Sequence, residues 1–176
     1  MSTTTPQTTD KHAVENVRWR IDPTRSSVEF RVRSFWGLVT VNGNFERYDG
    51  TLDLERTPAI ELTIEAASLD TSNKIRDKHL RSPDFFDVEH HPQVRFVSES
   101  TTLSGEDLTV RGRLYAAGQS IPLDVRATLR RVGGELQVDA ATSADYYELG
   151  MSHGILGMIR TPCELNVHAR LVRDGD

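Results

Sequence analysis

Strict alternation constrains this chain more than any other feature. Val28, Phe30 and Val32 interleave with Glu29, Arg31 and Arg33, and Ile60, Leu62 and Ile64 with Glu61, Thr63 and Glu65. Near the far end Leu165, Val167, Ala169 and Leu171 interleave with Asn166, His168 and Arg170. A period of two gathers the apolar side chains on one face, the pattern of antiparallel sheet with one buried side. Weaker runs of the same period lie at Leu38–Phe45, Gly50–Leu54, Val94–Ser98, Leu108–Tyr115, Ile121–Leu129 and Leu136–Ala141. Asp49-Gly50, Ser104-Gly105, Ala117-Gly118 and Gly133-Gly134 can supply the positive φ of tight turns between them. Short strands at this spacing predict an all-β sandwich or up-and-down barrel.

One segment breaks the rhythm. Thr71–Ser82 is charged and free of Gly and Pro, and predicts a short helix near 72–82. Ser72 is expected to cap it and Pro83 to stop it, with Ile75, His79 and Leu80 on one face. Residues 1–16 are Thr-rich with little to bury and read as a disordered tail, leaving a single domain over 17–174. No apolar run approaches the roughly 18 residues of a membrane helix, and the start has no signal-peptide pattern. With 21 Lys+Arg against 26 Asp+Glu, the net charge of -5 lacks the footprint of a nucleic-acid binder. The lone Cys163 excludes an internal disulfide and fits a reducing compartment, so a cytoplasmic location is expected.

Catalytic patterns are weak throughout. Gly150-Met151-Ser152-His153-Gly154 matches the nucleophile elbow G-x-S-x-G, but that motif needs a strand-to-helix turn with acid and histidine following. Here the surroundings are β, and no Asp stands between Ser152 and His168. His90-His91 is the tightest histidine pair, with His79 nearby. Neighbouring strand residues point to opposite faces, which opposes a shared metal ion. Cys163 has no basic activator in sequence and reads as a packing residue. Neither Asp77 nor Glu89 shows a paired acid–base arrangement. No catalytic residue, metal or cofactor is therefore expected. What remains is the inside of the β structure, either solid or enclosing a ligand, which apolar stripes alone do not distinguish.

Arg76-Asp77-Lys78-His79-Leu80-Arg81-Ser82-Pro83-Asp84-Phe85-Phe86-Asp87, followed by Pro92-Gln93-Val94-Arg95-Phe96-Val97-Ser98, resembles the RD-x-HL-R-S-x-DFFD helix and P-x-x-x-F-x-S strand of the YceI-like family. Trp19-Arg20-Ile21-Asp22-Pro23, Ser26-Ser27-Val28-Glu29-Phe30-Arg31-Val32, Val41-Asn42-Gly43-Asn44-Phe45 and Leu108-Thr109-Val110-Arg111-Gly112-Arg113-Leu114 support the likeness, which spans roughly Arg18 to Arg173. The resemblance implies a bacterial protein with an antiparallel, lipocalin-like barrel of about eight strands. Its apolar tunnel would hold an isoprenoid, an isoprenoid quinone or a fatty amphiphile, as a carrier or sequestering protein and not an enzyme. Under it, Phe30, Val32, Phe45, Leu62 and Phe96 face inward, while His79, Leu80, Phe85 and Phe86 line or close the mouth. Arg25 and Ser34 stand where many relatives carry His. The family's R-x-DFG stretch is here Tyr146-Tyr147-Glu148-Leu149-Gly150-Met151, which changes the polar groups near a ligand head and brings in Tyr147 and Met151. Open strand edges and paired barrels both fit the pattern, so a homodimer is an expectation only.

Overall fold

The computed structural model describes residues 18–34, 39–54, 58–151 and 162–175. The predicted tail at 1–16, Ser152 and His153 lie outside the described residues. In chain order the elements are β1 (Arg18–Ile21), β2 (Ser27–Ser34), β3 (Val39–Phe45), β4 (Tyr48–Asp53), β5 (Ala59–Glu65) and β6 (Leu69–Asp70). Helix α1 (Lys74–Arg81) follows, then β7 (Gln93–Ser104), β8 (Asp107–Ala116), β9 (Gln119–Val132), β10 (Glu135–Ala144) and β11 (Cys163–Arg173). Alternating sequence becomes alternating burial. In β8, Leu108, Val110, Gly112, Leu114 and Ala116 are buried while the residues between them face outward.

Two bent strands start the wall. β1 and β2 are joined through a single turn at Pro23–Arg25, and β3 and β4 through Glu46 and Arg47. β2 pairs with β3 (Phe30↔Gly43) and β1 with β4 (Arg20↔Thr51), both antiparallel. The wall continues through β5, β7, β8, β9 and β10 in up-and-down order. β11 then pairs with β10 on one side, and on the other with β2 (Leu165↔Phe30) and β1 (Leu171↔Ile21). The result is the predicted closed eight-stranded antiparallel barrel with one short helix. Closure pairs the edges that an open sheet would leave exposed. Among the described residues no helix is long and apolar enough to cross a membrane.

The bend between β1 and β2 is fixed by side chains. Asp22 accepts from Thr24 N at 3.0 Å and Thr24 Oγ1 at 2.6 Å, and Arg25 Nε donates to it at 2.7 Å. The remaining Arg25 nitrogens clasp Glu135 at 3.0 and 2.7 Å, tying the bend to β10. One end of the barrel is packed solid by Trp19, Ile21, Leu52, Leu129, Leu136, Ala169 and Leu171. Trp19 is 2% exposed there, with the Arg173 guanidinium 5.8 Å from its ring centroid.

Three expectations need correction. Asp49-Gly50 is not a turn: both lie inside β4, and a Cβ on Gly50 would sit 2.8 Å from Ile21 Cδ1 and 3.0 Å from Glu61 O. Glycine serves close approach at that position, not chain reversal. The cap of α1 is Asn73, which accepts from Ile75 N and Arg76 N at 3.1 and 3.0 Å; Ser72 precedes it in the left-handed region, at φ 59. Finally, Ile75 does not share a buried face with Leu80. Ile75 is 85% exposed, and the side that packs inward is polar, centred on Asp77 at 5%.

That inward side explains how α1 is held. Asp77 accepts from Thr71 N at 3.0 Å and Thr71 Oγ1 at 2.5 Å. Arg76 donates to Thr71 Oγ1 and Thr71 O, each at 2.8 Å, while Arg81 donates to Ala67 O at 2.9 Å and Leu69 O at 2.5 Å. Carbonyls left open beside the two-residue strand β6 are thereby satisfied by guanidinium groups.

Candidate functional site

Above the Trp19 floor the barrel is hollow. A cavity of about 360 Å³ runs up the interior, and its walls are the inward stripes of the strands. Two features keep it open. Facing positions carry alanine: Ala140 of β10 lies opposite Ala127 of β9 and Val167 of β11, and all three line the cavity. Inward glycines also let aromatic rings lie flat along the wall. A Cβ on Gly43 would collide with the Phe30 ring, and one on Gly112 would sit 2.6 Å from Phe96 Cζ.

Aromatic rings connect the wall to the segment after α1. Phe30 and Phe45 have centroids 5.4 Å apart, and Phe86 meets Phe45 edge-on at 5.9 Å. Phe86 and Phe85 enter the cavity from the turn that follows α1, held by Phe86 N donating to Leu80 O at 3.0 Å and Asp87 N to Ser82 O at 2.9 Å. Leu80 joins them in the lining.

Polar side chains are few and grouped. Thr142 near the end of β10, Cys163 at the start of β11, and Tyr146 and Tyr147 in the turn after β10 line the same end of the cavity, away from Trp19. The Thr142 hydroxyl donates to Asp124 O at 2.6 Å. Tyr146 and Tyr147 stack with centroids 4.8 Å apart and planes 30° from parallel, and their side chains hydrogen-bond each other. Burial pushes the Tyr146 hydroxyl up to about 12, reinforced by Tyr147, and burial pushes the Cys163 thiol up to about 12. Both stay protonated at neutral pH. Glu29, Thr51, Glu61 and Asn166 also border the cavity, but each lies between inward-facing neighbours and so presents its backbone, not its side chain.

The sequence pattern of the YceI-like domain matches residues 19–171. The chain belongs to the YceI-like family. Protein YceI of Escherichia coli O17:K52:H18 (strain UMN026) is 38% identical over 106 residues, 58% of this chain and 55% of that protein. The UPF0312 protein ECA1782 of Pectobacterium atrosepticum is 36% identical over 106 residues, with the same shares. The matched region thus spans about half the length of these curated relatives. BcnA of Burkholderia cenocepacia superposes with a TM-score of 0.77 at 20% identity, over 85% of this chain and 98% of BcnA. A polyisoprenoid binding domain from Saccharophagus degradans, implicated in plant cell wall breakdown, superposes at 0.73 with 13% identity, over 90% of this chain and 99% of that one. At such identities the likeness is one of fold.

Within this YceI-like barrel, Phe30, Val32, Phe45, Leu62, Leu80, Phe85, Phe86, Phe96, Tyr147 and Met151 all border the cavity. His79 does not: it is exposed, edge-on to the outer side of the mouth segment with its ring 5.0 Å from Phe85. His90 and His91 diverge. His90 Nδ1 lies 2.9 Å from Asp87, whose carboxylate raises its pKa, and His91 packs beneath the turn at Gly118. The inward alanines and Tyr146 were not singled out in sequence as ligand contacts. The signal that marks them is alanine at inward positions of β9 and β10, where a solid core would carry Leu or Phe.

Proposed function

We propose that this YceI-like protein carries or sequesters one long-chain apolar molecule, an isoprenoid, isoprenoid quinone or fatty amphiphile, inside its barrel and performs no chemistry on it. The observation that carries the reading is the cavity of about 360 Å³ walled by aliphatic and aromatic side chains. That volume falls among small-molecule sites, about 300–1,000 Å³. A flexible chain gains about 0.8 kcal/mol for each methylene it buries and asks for few polar partners. The polyisoprenoid-binding fold neighbour and the family match support the same class of ligand. The cytoplasmic location and the homodimer belong to this proposal, the first resting on the lone cysteine; cell fractionation and light scattering test them.

Ala140→Phe supplies the test. Its ring would project between Ala127 and Val167 into the empty space. Native mass spectrometry after gentle purification, with titration by prenyl and fatty ligands, is expected to show one lipid per chain for the wild type and none for folded Ala140→Phe. Equal behaviour of the two, or no occupancy of the wild type by any lipid, overturns the proposal and favours a solid-functioning interaction module.

A further inference from the structure

The barrel wall is not laddered evenly. Between β5 and β7 the backbone pairing runs from Glu65↔Gln93 to Glu61↔Val97 and, among the described residues, ends there. On its other side β7 stays paired with β8 as far as Ser104↔Asp107. The cause lies in both strands. β7 shifts register between Ser98 and Ser100, and the extra residue of such a bulge bends a strand off its neighbour. An antiparallel strand turns the N–H of every second residue toward the same partner. Ile60 offers β7 such a donor, but two residues earlier stands Pro58, which has none.

Hydroxyl groups bridge the strands instead. Ile60 N donates to Ser98 Oγ at 2.8 Å, and Thr101 Oγ1 donates to Pro58 O. Register with β8 turns Ser98, Thr101 and Leu103 toward the interior, opposite Gly112, Val110 and Leu108. The inward side chains along this stretch are open to match. Leu103 is 40% exposed where Leu108 across from it is 1% exposed, and Ile60 and Leu62 are half-buried although Ile64 above them is buried. Ile60, Leu62, Leu108 and Val110 line the cavity, so a gap at this level reaches it directly. Resting on the carrier reading above, we infer that the apolar molecule enters and leaves through the side of the barrel, where β5 and β7 part below Glu61 and Val97. Opening there breaks two side-chain hydrogen bonds. Parting β8 from β9 would break a backbone ladder running from Asp107↔Thr128 to Ala116↔Gln119. Local openings follow the least costly of such routes.

A passage has a kinetic signature: it changes entry and exit by the same factor and leaves affinity alone. Retinol and cis-parinaric acid, fluorescent as an isoprenoid and as a fatty chain, are bound to the full chain and released into excess albumin under stopped flow. Ser98 and Thr101 stand beside the cavity lining and not in it. In Ser98→Ala/Thr101→Val both rates are expected to quicken about fivefold or more, the worth of one net hydrogen bond, with the dissociation constant within about twofold of wild type. In Ile60→Cys/Ser98→Cys/Cys163→Ser, oxidation closes the seam, because facing antiparallel residues fall within disulfide reach. Release from the oxidised form is expected to be at least about tenfold slower than from the same protein reduced. Unchanged rates in the hydroxyl-free variant, exit that quickens without entry, or equal release from oxidised and reduced forms overturns the inference and leaves the carrier reading standing. Failure of both probes to bind the wild type sinks the carrier reading and this inference with it. Where one variant fails to fold or to form its disulfide, the other decides.

Discussion

Cys163 shows how a single residue is set by its place in the wall. Its thiol borders the cavity, and burial holds it up to about 12, so almost none is thiolate at neutral pH. Thiolate is the reacting form. Alkylation of Cys163 at pH 8 is therefore expected to run far slower than for a free cysteine, and slower again once a lipid fills the cavity; mass spectrometry of timed iodoacetamide reactions reads both. Asp22 behaves in the opposite sense. Its hydrogen bonds to Thr24 and Arg25 lower its carboxyl from 3.8 to about 2. A carboxyl depressed in the folded state contributes stability above pH 3.8 that is lost as pH falls toward 2. Glu135, lowered by the same Arg25, adds in the same direction. The thermal midpoint should fall across that interval, and Asp22→Asn should flatten part of the fall. Exposure to solvent keeps the effect small. The packing role of Cys163 is legible in sequence, whereas the ties of Asp22 and Glu135 to Arg25 are not, because periodicity reports the face of a strand and not the partners met across it.

Elements were legible where one local rule decided them. β2, β5 and β11 follow alternation, and the two-residue loop at Ala117-Gly118 forms where glycine marked it. Both loop residues have positive φ, 49 and 74, the type I′ geometry, so the alanine is strained. Ala117→Asn should raise stability by about 1 kcal/mol, read as a rise in the denaturation midpoint. Helix α1 obeyed a different rule from the one its pattern suggested. Its few apolar residues implied an apolar inner face, yet Asp77, Arg76 and Arg81 pack inward to serve Thr71 and the carbonyls of Ala67 and Leu69. Unpaired backbone groups beside β6 outweigh the amphipathic preference of eight residues. Asp77→Ala should cost about 1–3 kcal/mol by leaving Thr71 N without its acceptor, with Asp77→Asn costing less; urea denaturation measures both. Gly50 taught the same lesson within a strand, since its missing side chain makes room for Ile21.

At the scale of the whole molecule, a hollow interior distinguishes this barrel from a solid one of the same pattern. Apolar stripes at Val28, Phe30 and Val32 read identically in either case. The difference lies in residue size at inward positions of β9 and β10, which becomes meaningful only once register sets Ala127 and Ala140 side by side on one space. If that space binds a lipid, saturation at a hundred times the dissociation constant should raise the thermal midpoint on the order of 5–10 °C, measurable by scanning calorimetry. The pairing of Trp19 with Arg173 carries a kinetic consequence. The wall is sealed by strands from opposite ends of the described chain, the kind of contact that is slowest to form. A chain refolding from denaturant thus passes through an open sheet whose greasy side is bare, and detergent or lipid in the refolding buffer competes for the very surface that sealing would hide.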